Sequence, residues 1–95
     1  VMWSFHDSTE GADKAAHIQH AKALLLGCAG IVPGIRAFEV GTASPGLECS
    51  LDLVLNMLVD DAQVLAAYQN HPQHVAIKPF MKAVVKERRC MDYPL

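Results

Sequence analysis

The segment LDLVLNMLVD, residues 51–60, carries the clearest strand pattern of the chain. Side chains of a strand point alternately to the two faces of its sheet, so residues of equal parity share a face. The odd-numbered face is entirely apolar and is expected in a core: Leu51, Leu53, Leu55, Met57 and Val59. The even-numbered face mixes apolar Val54 and Leu58 with polar Asp52 and Asn56. This strand therefore predicts a sheet with one buried face and a second face of mixed polarity.

Three elements are predicted before this strand. VMWSF, residues 1–5, is rich in branched and aromatic side chains, which is typical of a strand. Residues 12–28 have helical periodicity, and Gly30 is expected to stop that helix. Its apolar stripe consists of Ile18, Ala21, Leu24, Leu25 and Cys28. The turn at Pro33-Gly34 then leads into a short strand over residues 35–40.

A helix break is predicted at NHPQH, residues 70–74. Asp60 or Asp61 is expected to cap the helix that follows the central strand. The apolar side of this helix is formed by Val64, Leu65 and Tyr68. His71 precedes Pro72, and a clash with the proline ring moves such a residue out of the helical conformation. The helix therefore ends at the first residue of this segment, and Pro72 suits the first turn of a new helix.

The rest of the chain completes an α+β fold. A third helix is expected from Val75 to about Val85 with a candidate kink at Pro79, and ERRCMDY, residues 87–93, is expected to be the last strand. The order β-α-β-β-α-β predicts a single ferredoxin-like domain over residues 1–95, with a four-stranded antiparallel sheet and helices on one face. An uncovered, largely apolar face predicts a homodimer that joins through the open side of the sheet.

Composition excludes several classes of partner. The formal net charge is −2 without a basic stripe, so we expect no binding to nucleic acid. Apolar runs such as residues 23–26 and 53–55 are far shorter than a membrane span, so we expect no membrane insertion. The three cysteines form no close pair, and VMWSF carries no signal-peptide pattern, which together favour a reducing, cytoplasmic location.

The segments IVPGIRAFEVG (31–41), AAYQNHPQHVAI (66–77) and MDY (91–93) resemble the stress-responsive dimeric α/β-barrel family, also called Dabb. The resemblance covers essentially the whole chain, and the Tyr-x-x-His-Pro-x-His-Val segment is its most specific part. It implies that two ferredoxin-like protomers pack their open sheet faces together to close a barrel.

One class within that family, the plant polyketide cyclases that make olivetolic acid, cyclises a poly-β-ketone in a pocket between helices and sheet. The resemblance implies that Tyr68 and His74 match the pocket tyrosine and the catalytic histidine of that class. Leu53 stands where that class has a second pocket histidine, and a further histidine of its first strand would lie before Val1.

His74 is the candidate general base. It shares a helical stripe with Ile77, Met81 and Val85 near a helix N-terminus, where burial and the helix dipole disfavour a charged imidazole. A neutral imidazole can take a proton from a carbon alpha to a carbonyl, while Tyr68 donates its hydroxyl to the enolate oxygen. The alternative is that His74 bonds a backbone carbonyl or Tyr68 and only closes the helix junction.

A ligand pocket is expected where His17, in the apolar stripe of helix one, joins Tyr68 and His74 around one cavity. The predicted lining is Trp3, His17, Leu53, Tyr68 and His74. His17 with His20, and His71 with His74, form two His-x-x-His pairs that lack a nearby cysteine or carboxylate partner. We therefore expect neither a metal nor a cofactor, and we expect His71 to end the second helix or cap the third.

Three functions remain open, and with them whether the protein is an enzyme. In the first, the pocket binds or transforms a small apolar carbonyl or polyketide-like compound. In the second, the protein is a non-catalytic stress-response protein whose role is the assembly itself. The third is a cofactor-free oxygenase, for which the sequence shows no distinct motif.

Overall fold

The secondary structure follows the predicted order of elements. The computed structural model describes residues 1–9 and 12–95. Within these residues the elements are β1 (Met2–Phe5), β2 (Ser8–Thr9), β3 (Ala12–Asp13), α1 (Lys14–Leu26), β4 (Ile35–Thr42), β5 (Leu53–Val59), α2 (Ala62–Asn70), α3 (Pro72–Val75), α4 (Lys78–Val84) and β6 (Val85–Arg89).

Four of these strands form one antiparallel sheet in the order β4-β5-β1-β6. The two short strands β2 and β3 pair with each other in a separate ladder. The first and last long strands are therefore neighbours, and each half of the chain contributes an interior and an edge strand. This is the ferredoxin-like arrangement of an α+β fold, so the predicted fold class is confirmed.

The hydrophobic core lies between the helices and one face of the sheet. Leu53 and Leu55 of β5 are buried there with Trp3 and Phe5 of β1, as the alternating pattern predicted. The helical side contributes Ala21, Leu25, Ile77 and Val84. Burial of these apolar side chains is the main favourable contribution to folding, and it fixes which face of the sheet the helices cover.

The opposite face of the sheet exposes large apolar side chains. Met2 of β1 and Leu58 of β5 have 44% and 43% of their surface exposed. Val54 is half-buried on this face, where it pairs with Met2 across the two central strands. We call this surface, defined by Met2, Val54, Asn56 and Leu58, the open face. A domain of this size needs an explanation for an apolar patch at the centre of its sheet.

Both ends of the first helix differ from the prediction. Asp13 caps α1, because its carboxylate accepts a hydrogen bond from the backbone N–H of Ala16 at 2.8 Å. The helix ends at Leu26 with Gly27 as its C-cap, so the expected stop at Gly30 is wrong. After Leu26 the backbone continues in short-range turns. Hydrogen bonds within these turns satisfy the last carbonyl groups of the helix before the chain reaches Gly30.

After α2 the chain forms two helices, α3 and α4, where the sequence predicted one. Pro79 lies in the first turn of α4, and the break falls at Ala76 and Ile77. A proline has no N–H to donate to the carbonyl group four residues earlier, here that of Val75, and its ring collides with that carbonyl group. The chain therefore ends α3 before it starts α4, and the predicted kink at Pro79 becomes a full interruption.

Strand boundaries also shift. β4 extends to Thr42, two residues beyond the prediction. β5 begins at Leu53 and not at residue 51. Next to this start, the Asp52 carboxylate accepts the backbone N–H of Phe5 at 2.8 Å. β6 pairs with β1 as far as Met2, so it ends at Arg89, and the prediction of a strand up to residue 93 is wrong.

Gly34 is the glycine at which a side chain should cost most. It has a φ of +97°, and a Cβ there would lie 2.7 Å from Cγ2 of Val64. Its carbonyl group also accepts the backbone N–H of Asp60 at 3.0 Å, so the loop cannot move away freely. We expect Gly34→Ala to lower the free energy of unfolding by about 1–3 kcal/mol, measured by urea denaturation.

Gly46 provides the matched control. It also has a positive φ, of +85°, but a Cβ there would meet nothing within 4 Å. Gly46→Ala therefore carries the backbone strain without the collision with Val64. Equal losses of stability in the two variants would show that the side chain of Val64 moves aside and that the contact is unimportant.

Candidate functional site

The junction between α2 and α3 separates Tyr68 from His74, the two candidate catalytic residues, and capping side chains hold both helices in place. Asp61 caps α2 by accepting the backbone N–H of Val64 at 2.9 Å, which confirms one of the two predicted caps. His71 ends α2 in an extended conformation, and its Nδ1 accepts the backbone N–H of Gln73 at 3.1 Å. His71 therefore fulfils both predicted roles, because it ends the second helix and caps the third.

Tyr68 reaches the interior from the last turns of α2. Only 2% of its surface is exposed, and its hydroxyl group is buried without a hydrogen-bond partner among the described residues. Its ring packs edge-on against Phe38 of β4, with 6.1 Å between the centroids. Burial, with a smaller contribution from Cys28, raises the pKa of Tyr68 to about 12. The phenol is therefore a protonated donor at neutral pH.

His74 is half-buried on α3, and one of its ring nitrogens is held in place. Its Nδ1 lies 3.2 Å from the backbone carbonyl oxygen of Gln69. A carbonyl oxygen can only accept a hydrogen bond, so in the neutral ring Nδ1 carries the hydrogen and Nε2 carries the lone pair. Burial lowers the pKa of His74 below its usual value, the bond to Gln69 partly offsets this effect, and the positive charges of Lys78 and Arg88 lower the pKa further. At neutral pH the ring is therefore a neutral base.

The two rings contact each other. The centroids of Tyr68 and His74 are 4.6 Å apart, and the ring planes are inclined by 49°. The contact places the phenol ring and the imidazole ring side by side at the helix junction. A buried donor beside a neutral base is an arrangement that can hold a carbonyl oxygen and take a proton from the neighbouring carbon.

The other predicted pocket residues lie in the core. Trp3 and Leu53 are buried cross-strand neighbours in β1 and β5. His17 is buried on α1, with its Nδ1 unbonded to any described residue and its ring centroid 6.0 Å from that of Phe80. These three residues lie with Tyr68 in the interior between the helices and the sheet. That they line one common cavity with His74 stays a prediction.

Two surface depressions have other linings. The first, of about 470 Å³, is lined by polar groups at the end of β1, among them His6, Lys14, Asp52 and Lys86. The second, of about 480 Å³, is an apolar groove between α1 and the α3–α4 segment. Its walls are His20, Ala23, Leu24, Gly27, Gln73, Ala76, Ile77 and Phe80. Within residues 1–9 and 12–95, no cluster of histidine, cysteine and acidic side chains is arranged to hold a metal ion.

Comparison with known proteins identifies the family. The family model described as the Stress responsive A/B Barrel Domain matches residues 1–95. The chain belongs to this family. It is also similar to a crystal structure from Bacteroides fragilis, described as a dimeric protein of unknown function with a ferredoxin-like fold. That similarity has a TM-score of 0.81 at 23% identity and covers 99% of this chain and 90% of the other. No curated protein matches the chain.

This A/B barrel domain contains site contacts that the sequence interpretation did not include. Phe38 packs on Tyr68, and Gln73 bonds to the end of α1. Phe38 alternates with Val40 along β4, so the strand pattern could have placed it on the helical face. Gln73 offered no comparable signal. Among the described residues, no helix is both long enough and apolar enough to cross a membrane.

Proposed function

We propose that this A/B barrel domain binds a small, neutral, apolar carbonyl compound beside Tyr68 and His74, and that His74 acts on it as a base. The observation that carries the proposal is the buried hydroxyl group of Tyr68, which lacks a partner in the described chain. An unsatisfied buried polar group costs about 1–3 kcal/mol, so its retention needs a reason. A ligand carbonyl oxygen would accept the hydrogen bond that the protein does not supply.

The proposed step is a proton abstraction. Nε2 of His74 takes the proton from the carbon alpha to the carbonyl, the C–H bond breaks, and the electron pair moves onto the carbonyl oxygen to form an enolate. The hydroxyl group of Tyr68 donates to that oxygen and stabilises the developing charge. The imidazolium then returns the proton to the ligand. Because both groups are neutral before the step, the site favours a neutral ligand over a carboxylate.

The scope of this chemistry is narrower than that of the plant cyclases. Leu53, which stands where those cyclases have a second pocket histidine, is a buried core residue beside Trp3. We therefore propose ligand binding and enolisation for this chain, without the cyclisation that the plant enzymes carry out.

A second candidate function is the assembly itself. We propose that the protein is a homodimer joined through the open face, which would cover Met2 and Leu58. The exposure of these two side chains supports this, and the Bacteroides fragilis protein is described as dimeric. We also propose a cytoplasmic location, since Cys49 and Cys90 are exposed free thiols, and such thiols persist best in a reducing compartment.

Tyr68→Phe separates binding from stability. Removing a buried hydroxyl group without a partner should leave the free energy of unfolding unchanged or raise it by about 1 kcal/mol. The same change should weaken the binding of cyclohexanone, a neutral apolar ketone, about tenfold, because one buried hydrogen bond is lost. Urea denaturation and NMR titration with cyclohexanone measure the two quantities.

The control is Tyr93→Phe, the same change at an exposed tyrosine. It should alter neither stability nor binding. If Tyr68→Phe destabilises the protein and leaves cyclohexanone binding unchanged, the hydroxyl group has a structural partner, and the residue only closes the helix junction.

A further inference from the structure

The buried position of Tyr68 means that a ligand needs an opening to reach it. With 2% of its surface exposed, the phenol cannot be approached from solvent in the closed structure. Under the proposed function, on which this inference rests, part of the surface around the phenol must move. A gate is therefore expected among the residues that cover Tyr68.

Between described residues, one side-chain hydrogen bond ties the covering segment, α3 with its His74 against Tyr68, to the end of the first helix. Nε2 of Gln73 donates to the carbonyl oxygen of Gly27 at 2.7 Å, across 46 positions of sequence. The residue that follows Gln73 is His74, whose ring contacts that of Tyr68. The Gln73–Gly27 bond therefore ties the turn that contacts the phenol to the end of α1.

The covering segment is small enough to move as a unit. α3 is a single turn of four residues, of which Pro72, Gln73 and Val75 are exposed and His74 is half-buried. It lies between the extended residue His71 and the break before α4. A turn that buries little apolar surface can open at a small cost in free energy while the core stays folded.

The apolar groove lies on the other side of this bond. Gln73 and Gly27 both belong to its walls, together with Leu24, Ile77 and Phe80. Its volume of about 480 Å³ leaves room for a small apolar molecule in front of the closed turn.

We propose that Gln73 is a gating and positioning residue: its hydrogen bond to Gly27 holds α3 closed over Tyr68, and its release lets a ligand pass from the groove to the phenol. The residue does not act on the ligand itself. Its effect is exerted through His74, whose contact with Tyr68 depends on where α3 lies.

The test is Gln73→Met in the full chain without ligand. Methionine keeps the length and apolar contacts of the side chain and removes the donor. Backbone amides of Val75, Ala76 and Ile77, which are hydrogen-bonded in the closed turn, should exchange with deuterium about three- to tenfold faster. In an NMR titration, the pKa of His74 should rise toward its usual value as burial decreases. Gln19→Met, at an exposed position of α1, is the matched control and should change neither quantity.

The outcomes separate the gate from the proposed function. Unchanged exchange in α3 together with an unchanged pKa of His74 overturns the gate, and so does acceleration that extends equally to amides of β5, since that reports a general loss of stability. Both measurements are made without a ligand. If Gln73→Met opens α3 and cyclohexanone binds to neither form, the gate stands and the proposed ligand class fails.

Discussion

His74→Gln is expected to slow the exchange of the alpha protons of cyclohexanone in deuterium oxide by about a hundredfold to ten-thousandfold, the usual contribution of a positioned general base. Glutamine can keep a donor for the carbonyl oxygen of Gln69, which in the wild-type protein lies 3.2 Å from Nδ1. It has no lone pair basic enough to take a proton from carbon. The rate is measured by proton NMR from the loss of the alpha signal, with buffer catalysis subtracted.

The control for this change is His6→Gln, which removes an exposed imidazole outside the α2–α3 junction. It should leave the exchange rate at the wild-type value. Exchange that is equally fast in His74→Gln and in the wild-type protein would contradict the assigned base. Loss of cooperative unfolding in His74→Gln would instead indicate that the imidazole serves the helix junction, as the alternative interpretation of the sequence has it.

The pH dependence of the rate has a definite sign. Burial is the main cause that lowers the pKa of His74 below its ordinary value of 6.5, so the neutral base persists to lower pH than in an exposed histidine. The exchange rate should therefore be retained at pH 6.5 and fall only as the pH drops through the lowered pKa. Between pH 6.5 and the lowered pKa, the unfolded chain binds a proton more readily than the folded protein. The wild-type protein should therefore lose stability relative to His74→Gln as the pH falls through this window.

Local patterns predicted the parts of the fold that depend on neighbours in sequence. The alternation in β5 assigned Leu53 and Leu55 to the core, because parity alone decides which face a side chain occupies. The His71-Pro72 pair ended α2 where expected, because the clash acts between adjacent residues. Tyr68 and His74 could be brought together on the same grounds, since only the helix junction separates them.

Contacts between residues far apart in sequence account for the features of the fold and the site that local patterns did not predict. Next to the start of β5, the Asp52 carboxylate bonds the N–H of Phe5, 47 positions away, and no periodicity reveals this contact. Gln73 was missed for the same reason, since its partner Gly27 lies at the far end of another helix. Whether His17 shares a pocket with Tyr68 also depends on how α1 and α2 pack. The sequence alone could suggest this arrangement but could not determine it.

Leu58→Lys is expected to convert the proposed homodimer into a monomer. In a single protomer 43% of this side chain is exposed, so a lysine can extend its ammonium group into water, and the fold should persist. In a dimer closed through the open face, the same ammonium group would be buried without a partner, which costs several kcal/mol. A cost of about 3 kcal/mol corresponds to a dissociation constant raised by roughly a hundredfold.

Sedimentation velocity at micromolar concentration measures this change, with Leu26→Lys as the control because Leu26 is 46% exposed on α1, away from the open face. The control should sediment as the wild-type dimer. A wild-type protein that is already monomeric, or a Leu58→Lys variant that stays dimeric, would show that the open face is not the interface. The monomeric variant also separates the two candidate functions: if it still catalyses exchange in cyclohexanone, the site belongs to one protomer. If exchange is lost while Tyr68 and His74 keep their contact by NMR, the assembly is required for the site to act.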